Sequence, residues 1–184
     1  MDDDGWAGWL AGAVGRCGCD VRAAAGAIPR EVTDGFRHDD VPWQGFGHSW
    51  GPGEDVPGLL ATPGPGSAEP ADGALRQLRT NPHHRGGTIA VGALAVPFLL
   101  RIATVGRPEL RARTLRAVAE VGRCRHTGGG SREGLLRVAE ELPVVEGGTM
   151  CPVDRTVQAA RRAVTDDPHL LLPLLADPDS EVPP

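Results

Sequence analysis

One stretch limits what this chain can become more than any other: Thr88–Ile102, TIAVGALAVPFLLRI, the most apolar run in the sequence. Its apolar positions Ile89, Val91, Leu94, Val96, Phe98, Leu99 and Ile102 would cover most of a helix circumference. A helix that is apolar all round must be covered by neighbours on most sides, so the run predicts a central, buried helix. Pro97 removes one backbone donor and predicts a kink unless a helix begins nearby. Arg101 closes the uninterrupted part after residues 89–100, short of the roughly 20 residues of a membrane span. The N-terminal text MDDDGWAGWL is acidic and lacks the basic start of a secretory signal, so a soluble cytoplasmic protein with no membrane role is expected.

A second amphipathic helix follows at 108–122, PELRARTLRAVAEVG. Pro108 suits a first turn, Glu109 faces the positive end of the helix dipole, and Glu109 with Arg113 makes a favourable i,i+4 pair. Leu110, Leu115, Val118 and Val121 form its apolar stripe, Arg111, Arg113 and Arg116 its expected solvent face, and Gly122 its stop. Shorter helices are predicted over 20–27, 54–60, 73–80, 131–142, 153–165 and 169–176, with a weaker one at 6–15. Thr33–Trp50 reads instead as an irregular segment whose rings (Phe36, Trp43, Phe46, Trp50) pack onto something else. No stretch alternates as a strand does, so the predicted class is all-α.

Three segments repeat a pattern: Asp55–Leu60 (DVPGLL), Ala95–Leu100 (AVPFLL) and Leu171–Leu175 (LLPLL). Pro57 and Pro97 stand 40 residues apart, and Pro97 and Pro173 stand 76 apart, near two such periods. Paired helices at that period are the mark of a HEAT or armadillo solenoid, in which each pair needs a neighbour to cover its apolar face. On the text HSWGPGEDVPGLL, ALRQLRTNPHHRGG, GALAVPFLLRIA and RARTLRAVAEVG, the region from Trp43 to Leu136 resembles a family of bacterial HEAT-repeat (armadillo-type) proteins. In that family a His with a Gly two residues on opens the long inner helix, and His84 with Gly86 matches. The stretch 154–182 resembles a later repeat. The resemblance implies a short right-handed α-solenoid of HEAT-like helix pairs over 53–184, behind an irregular, partly helical segment at 1–52. The chain stops at Val182-Pro-Pro, where a further helix would follow, so the expectation is a C-terminal cap that is either missing or supplied by a partner.

Charge is blocked along the chain. Residues 1–75 hold 12 acids against 4 Arg, residues 76–137 hold 12 Arg against 3 Glu, and residues 138–184 hold 9 acids against 3 Arg. The basic block gathers Arg107, Arg111, Arg113, Arg116, Arg123 and Arg125 in and beside one helix. Such a row is first a solvated or internally paired face, then a site for an acidic protein partner, and only third a contact for nucleic-acid phosphates. The net charge of -5 and the lack of interleaved aromatics weigh against nucleic acid.

Other chemistry is thin. Cys17-Gly-Cys19, Cys124 and His126 would make a zinc site only from a CxC pair and a distant half, so ordinary cysteines are expected, with Cys151 a fourth. Gly128–Arg132 precedes a helix but lacks the strand and Lys of a phosphate-binding loop. No spacing assembles a catalytic triad or a carboxylate pair. The sequence therefore predicts a non-enzymatic protein-interaction module without cofactor or metal, a small scaffold or an immunity- or regulatory-type binder. A nucleic-acid binder and an enzyme on a HEAT-like scaffold are the two rivals.

Overall fold

The computed structural model describes residues 21–48, 51–65, 71–80, 83–84, 87–88, 90–122 and 153–176. The expected helices at 6–15 and 131–142, the loops at 128–130 and 147–148, the four cysteines and Trp50 lie outside the described residues. What is described is mostly helical. Eight helices are used below: α1 (Val21–Ala27), α2 (Arg30–Asp34), α3 (Val56–Ala61), α4 (Ala71–Thr80), α5 (Ala90–Val105), α6 (Pro108–Val121), α7 (Val153–Asp166) and α8 (Pro168–Leu171). Extended backbone is confined, among the described residues, to two antiparallel ladders of two residues per strand. In the first, β1 (Gly47–His48) pairs with β2 (Gly51–Pro52); in the second, β3 (His83–His84) pairs with β4 (Gly87–Thr88).

The apolar run is the central helix. Every residue of α5 from Ala90 to Ala103 is buried, Pro97 and Arg101 included. The helix continues through Pro97, which costs a backbone hydrogen bond and about 3 kcal/mol of helix propensity. Around the proline α5 is packed by α1, α2, α3, α6, α7 and α8, whose apolar contacts offset that cost. Only Gly106 and Arg107 separate α5 from α6, and so short a connection makes the two helices antiparallel neighbours. Gly106 closes α5 by donating its N–H to the Ile102 carbonyl at 2.8 Å. A Cβ there would stand 2.3 Å from the Ile102 carbonyl oxygen, so no other residue fits without displacing the turn.

Contacts between helices run in two rows. Helix α3 packs on α4 and α5 on α6; across the pairs, α3 packs on α5 and α4 on α6. Helix α7 lies against both α5 and α1, closing the side of α5 that the two pairs leave open. The three proline-marked segments sit differently in their elements. Pro57 is in the first turn of α3, Pro97 is in the middle of α5, and Pro173 is in a 3₁₀ turn, Leu172–Ala176.

The ring-bearing segment before α3 packs onto α5. Trp43 and Phe46 are each 2% exposed, and the Trp43 ring lies 6.2 Å from that of Phe98 in α5. Trp43 donates its indole N–H to the His38 carbonyl at 2.7 Å, which satisfies the donor that burial would otherwise strand. Gly53 lets the chain pass close over these rings, since a Cβ there would be 2.9 Å from the Phe46 carbonyl oxygen. Phe36, with φ 53°, occupies the left-handed position that ends α2. Arg37 N–H bonds the Val32 carbonyl at 2.9 Å and Phe36 N–H bonds the Thr33 carbonyl at 3.2 Å, the paired bonds of a Schellman cap. A glycine would take that conformation without strain; the phenylalanine is held there while its ring packs against the core and meets His38 edge-on.

His38 is the titratable member of this nest. Its ring is 5.0 Å from that of Phe98, and its Nε2 has no hydrogen-bond partner among the described residues. Burial pushes the imidazolium pKa below the usual 6.5, with the charge of Asp39 acting the other way. The unfolded chain therefore takes up the proton first. Stability from this residue is complete above the unfolded pKa and is lost as the pH falls from about 6.5 toward the lower folded value. The variant His38→Phe, which keeps a ring against Phe98, is expected to flatten that part of the stability profile. Urea midpoints at about pH 7 and about pH 5 measure it, and equal pH slopes in the two proteins would refute the assignment.

Candidate functional site

The arginine row expected to face solvent is carried by α6. Arg107 is the N-cap residue in extended conformation, Pro108 and Glu109 occupy the first turn, and Gly122 ends the helix. Leu110, Thr114, Ala117, Val118 and Val121 turn inward. The row itself is not uniform. Arg111 is half-buried and donates its Nε–H back to the Ala103 carbonyl of α5 at 3.2 Å. Arg113 reaches across to Asp72 of α4 instead of pairing with Glu109 one turn back, because α4 packs alongside α6 and brings its own carboxylate within reach. Both ends of that ion pair are more than half exposed, at 57% and 55%, so it contributes little to stability. Arg116 is exposed, Arg107 is half-buried, and Arg123 and Arg125 lie outside the described residues.

With Arg76 and Arg79 exposed on α4, the outer layer formed by α4 and α6 presents Arg76, Arg79, Arg113 and Arg116. Asp72, Glu109 and Glu120 are the acids of the same two helices. The layer carries more arginines than acids, and the arginine side chains that it presents are long and exposed.

A second set of arginines was not legible in the charge blocks. Arg22 of α1, Arg30 of α2, Arg101 of α5 and Arg162 of α7 line one cavity of about 330 Å³, together with Asp166 and Asp167. Arg22 donates to the Gln158 side-chain carbonyl at 3.0 Å. Arg30 lies 3.2 Å from an Asp167 carboxylate oxygen and donates to the Asp166 backbone carbonyl at 3.4 Å. Arg162 faces Asp166 one turn on, at 3.4 Å. Arg101 is the buried member. Its Nε donates to Asp34 of α2 at 2.5 Å, and one Nη donates both to Asp167 at 2.9 Å and to the Pro97 carbonyl at 3.0 Å.

The sequence signal for Arg101 was present and easily misread. It stands four residues after Pro97, so on a helix it shares the Pro97 face, and that face is buried. Taken as the charge that ends an apolar run, it said only that the run was short. Arg22 and Arg30 come from the acidic first third of the chain and Arg162 from the acidic last third, so regional net charge hid them.

The structural positions expected from the repeat are placed as follows. His84 lies in β3, paired with Gly87 of β4, immediately before α5; Gly86 lies outside the described residues. Among the described residues, no group of three His, Cys, Asp or Glu side chains could hold a metal ion, and no helix is long and apolar enough to cross a membrane. No protein-family model, no curated protein and no solved structure matches this chain.

The Arg101–Asp167 pair has side chains only 6% and 10% exposed, while the second partner of each, Asp34 and Arg30, is largely exposed. Removing one partner of such a pair strands the second, at a cost of about 3–5 kcal/mol. Arg101→Met is expected to lose stability of that order in chemical denaturation. Arg101→Met with Asp167→Leu is expected to recover much of it, since no buried charge is left alone. A single variant within about 0.5 kcal/mol of the parent would show that the pair is not a structural tie.

Proposed function

We propose that the chain is a non-enzymatic protein-binding module, a small scaffold or regulatory-type binder on a short right-handed solenoid of HEAT-like helix pairs, and that its partner offers an acidic surface. The two-row contact pattern, α3 on α5 and α4 on α6, supports the stacked-pair reading. The observation that carries the binding reading is the α4–α6 outer layer, where Arg79 and Arg116 are exposed and Arg113 spends its charge only on a solvent-screened pair with Asp72. Each arginine fork there can hold a carboxylate through two parallel N–H···O bonds, which favours an acidic protein over a diffuse counter-ion cloud.

The burial of α5 from Ala90 to Ala103 favours the outer row over the inner one as the partner surface. Charge complementarity of this kind mainly raises the association rate and selects the partner; a buried anchor from the partner is needed for tight binding.

The test is affinity capture with the full chain from its native host, read by mass spectrometry, in parallel with the variant Arg79→Glu, Arg113→Glu, Arg116→Glu. An acidic protein retained by the parent and weakened about tenfold or more in the variant is the expected result. Retention on DNA or RNA that falls steeply with salt would assign the face to nucleic acid instead. Equal capture by parent and variant would remove the outer layer from the binding surface.

A further inference from the structure

The arginine-lined cavity between α1, α2, α5 and α7 is separate from the outer layer, and we propose that it binds a small organic anion, an oxyanion head group on a short apolar body. Four guanidinium groups line it against two carboxylates, and with Asp34 on Arg101 counted the balance is four charges to three, a surplus of one positive charge. Its remaining wall is apolar: Ala25, Ile28, Pro97, Ala159 and Ala163. Carboxylate and phosphate are the groups that a guanidinium fork fits in two-point fashion, and the apolar wall supplies contact for a hydrocarbon tail.

The four arginines are held in two ways, and the difference matters. Arg101 is tied at the floor by Asp167 and the Pro97 carbonyl and cannot leave without stranding a buried carboxylate. Arg30 and Arg162 are at the mouth, with side chains 66% and 74% exposed. The Arg162 contact with Asp166 is long, 3.4 Å, and exposed at both ends, so it exchanges for an incoming oxyanion at little cost. Arg30, 3.2 Å from the buried Asp167, can add an oxyanion from its exposed side while keeping that contact. The floor thus supplies a fixed positive charge while the rim supplies arginines that can close on the ligand. A volume of about 330 Å³ is at the small end for ligand cavities, which limits the guest to a head group and a few carbons.

Gly26 provides the handle for a test. It lines the cavity from α1, and a Cβ built there meets nothing within 4 Å, so a larger side chain enters open space rather than the core. Gly26→Leu also improves the helix, because glycine is a poor helix former. Arg30→Gln removes one rim charge with little change in shape.

The experiment is calorimetric titration of the full chain with butyrate, butyl phosphate and 1-butanol. Butyrate or butyl phosphate is expected to bind the parent, the stronger of the two identifying the head group, and 1-butanol is not. Affinity is expected to fall about tenfold or more in Gly26→Leu and in Arg30→Gln, each checked for retained helicity by circular dichroism. The outer-layer triple variant Arg79→Glu, Arg113→Glu, Arg116→Glu is expected to bind the anion as the parent does, which separates this site from the partner surface. The proposal is overturned if neither anion binds at millimolar concentration, or if 1-butanol binds as well as the anions. It is equally overturned if Gly26→Leu binds like the parent, or if the outer-layer variant loses the anion.

Discussion

A single buried guanidinium holds the layers of this protein in place. Arg101 projects from the central helix, bonds back to the Pro97 carbonyl one turn earlier, and reaches Asp167 ahead of α8 and Asp34 at the end of α2. Three segments far apart in the chain thus meet on one side chain. The three arms are unequal. The Asp34 carboxylate is 61% exposed and its contact is screened by water, whereas Asp167 is nearly as buried as the arginine itself. A buried pair of this kind is poor evidence for added stability, since well-packed hydrophobic residues would serve as well. Through it, Asp167 ahead of α8 and Asp34 at the end of α2 meet at one place on α5.

Around that tie the packing is hydrophobic and dense. Phe98, Leu94, Leu99, Leu100 and Ile102 are all buried to 2% exposure or less, and Trp43, Phe46 and Val56 pack into the same cluster. The N-terminal residues from Val21 to Phe46 belong to one core with the two helix pairs. Helices α1, α2 and α7 all pack against α5, in addition to α3 and α6. Among the described residues, α4 and α6 carry exposed arginines, and a cavity lies where α1, α2 and α7 meet α5 over Pro97 and Arg101.

Much of the local structure could be read from residue order. The boundaries of α6 follow from Pro108 and Gly122, and its inward stripe from Leu110, Val118 and Val121, because helical period and cap chemistry are local. The ring segment between Thr33 and Phe46 was legible as something that must pack elsewhere, although neither its target nor the left-handed Phe36 was. Sequence pattern puts glycine in a Schellman cap, and Gly35 stood one position too early. Arg113 shows the limit from the polar side. The i,i+4 rule offers Glu109, but Asp72 from the adjacent helix takes it, and no local rule knows which helix is adjacent.

The sequence by itself determined that there would be a helix apolar on every side, that it would need covering, and that amphipathic helices were available to cover it. Those properties depend on residues three and four apart, and a chain carries them whatever its tertiary arrangement. Only the tertiary structure decided which helices cover α5, and with that the fate of its single charge. Residues 22, 30, 101 and 162 share no local pattern, so their meeting around one cavity is a product of packing α1, α2 and α7 against the same face of α5. The apolar run looked like a segment that merely ends at Arg101. In the folded molecule that arginine is buried with the rest of the run, and it is the point at which the run acquires a charge, its partners and a cavity.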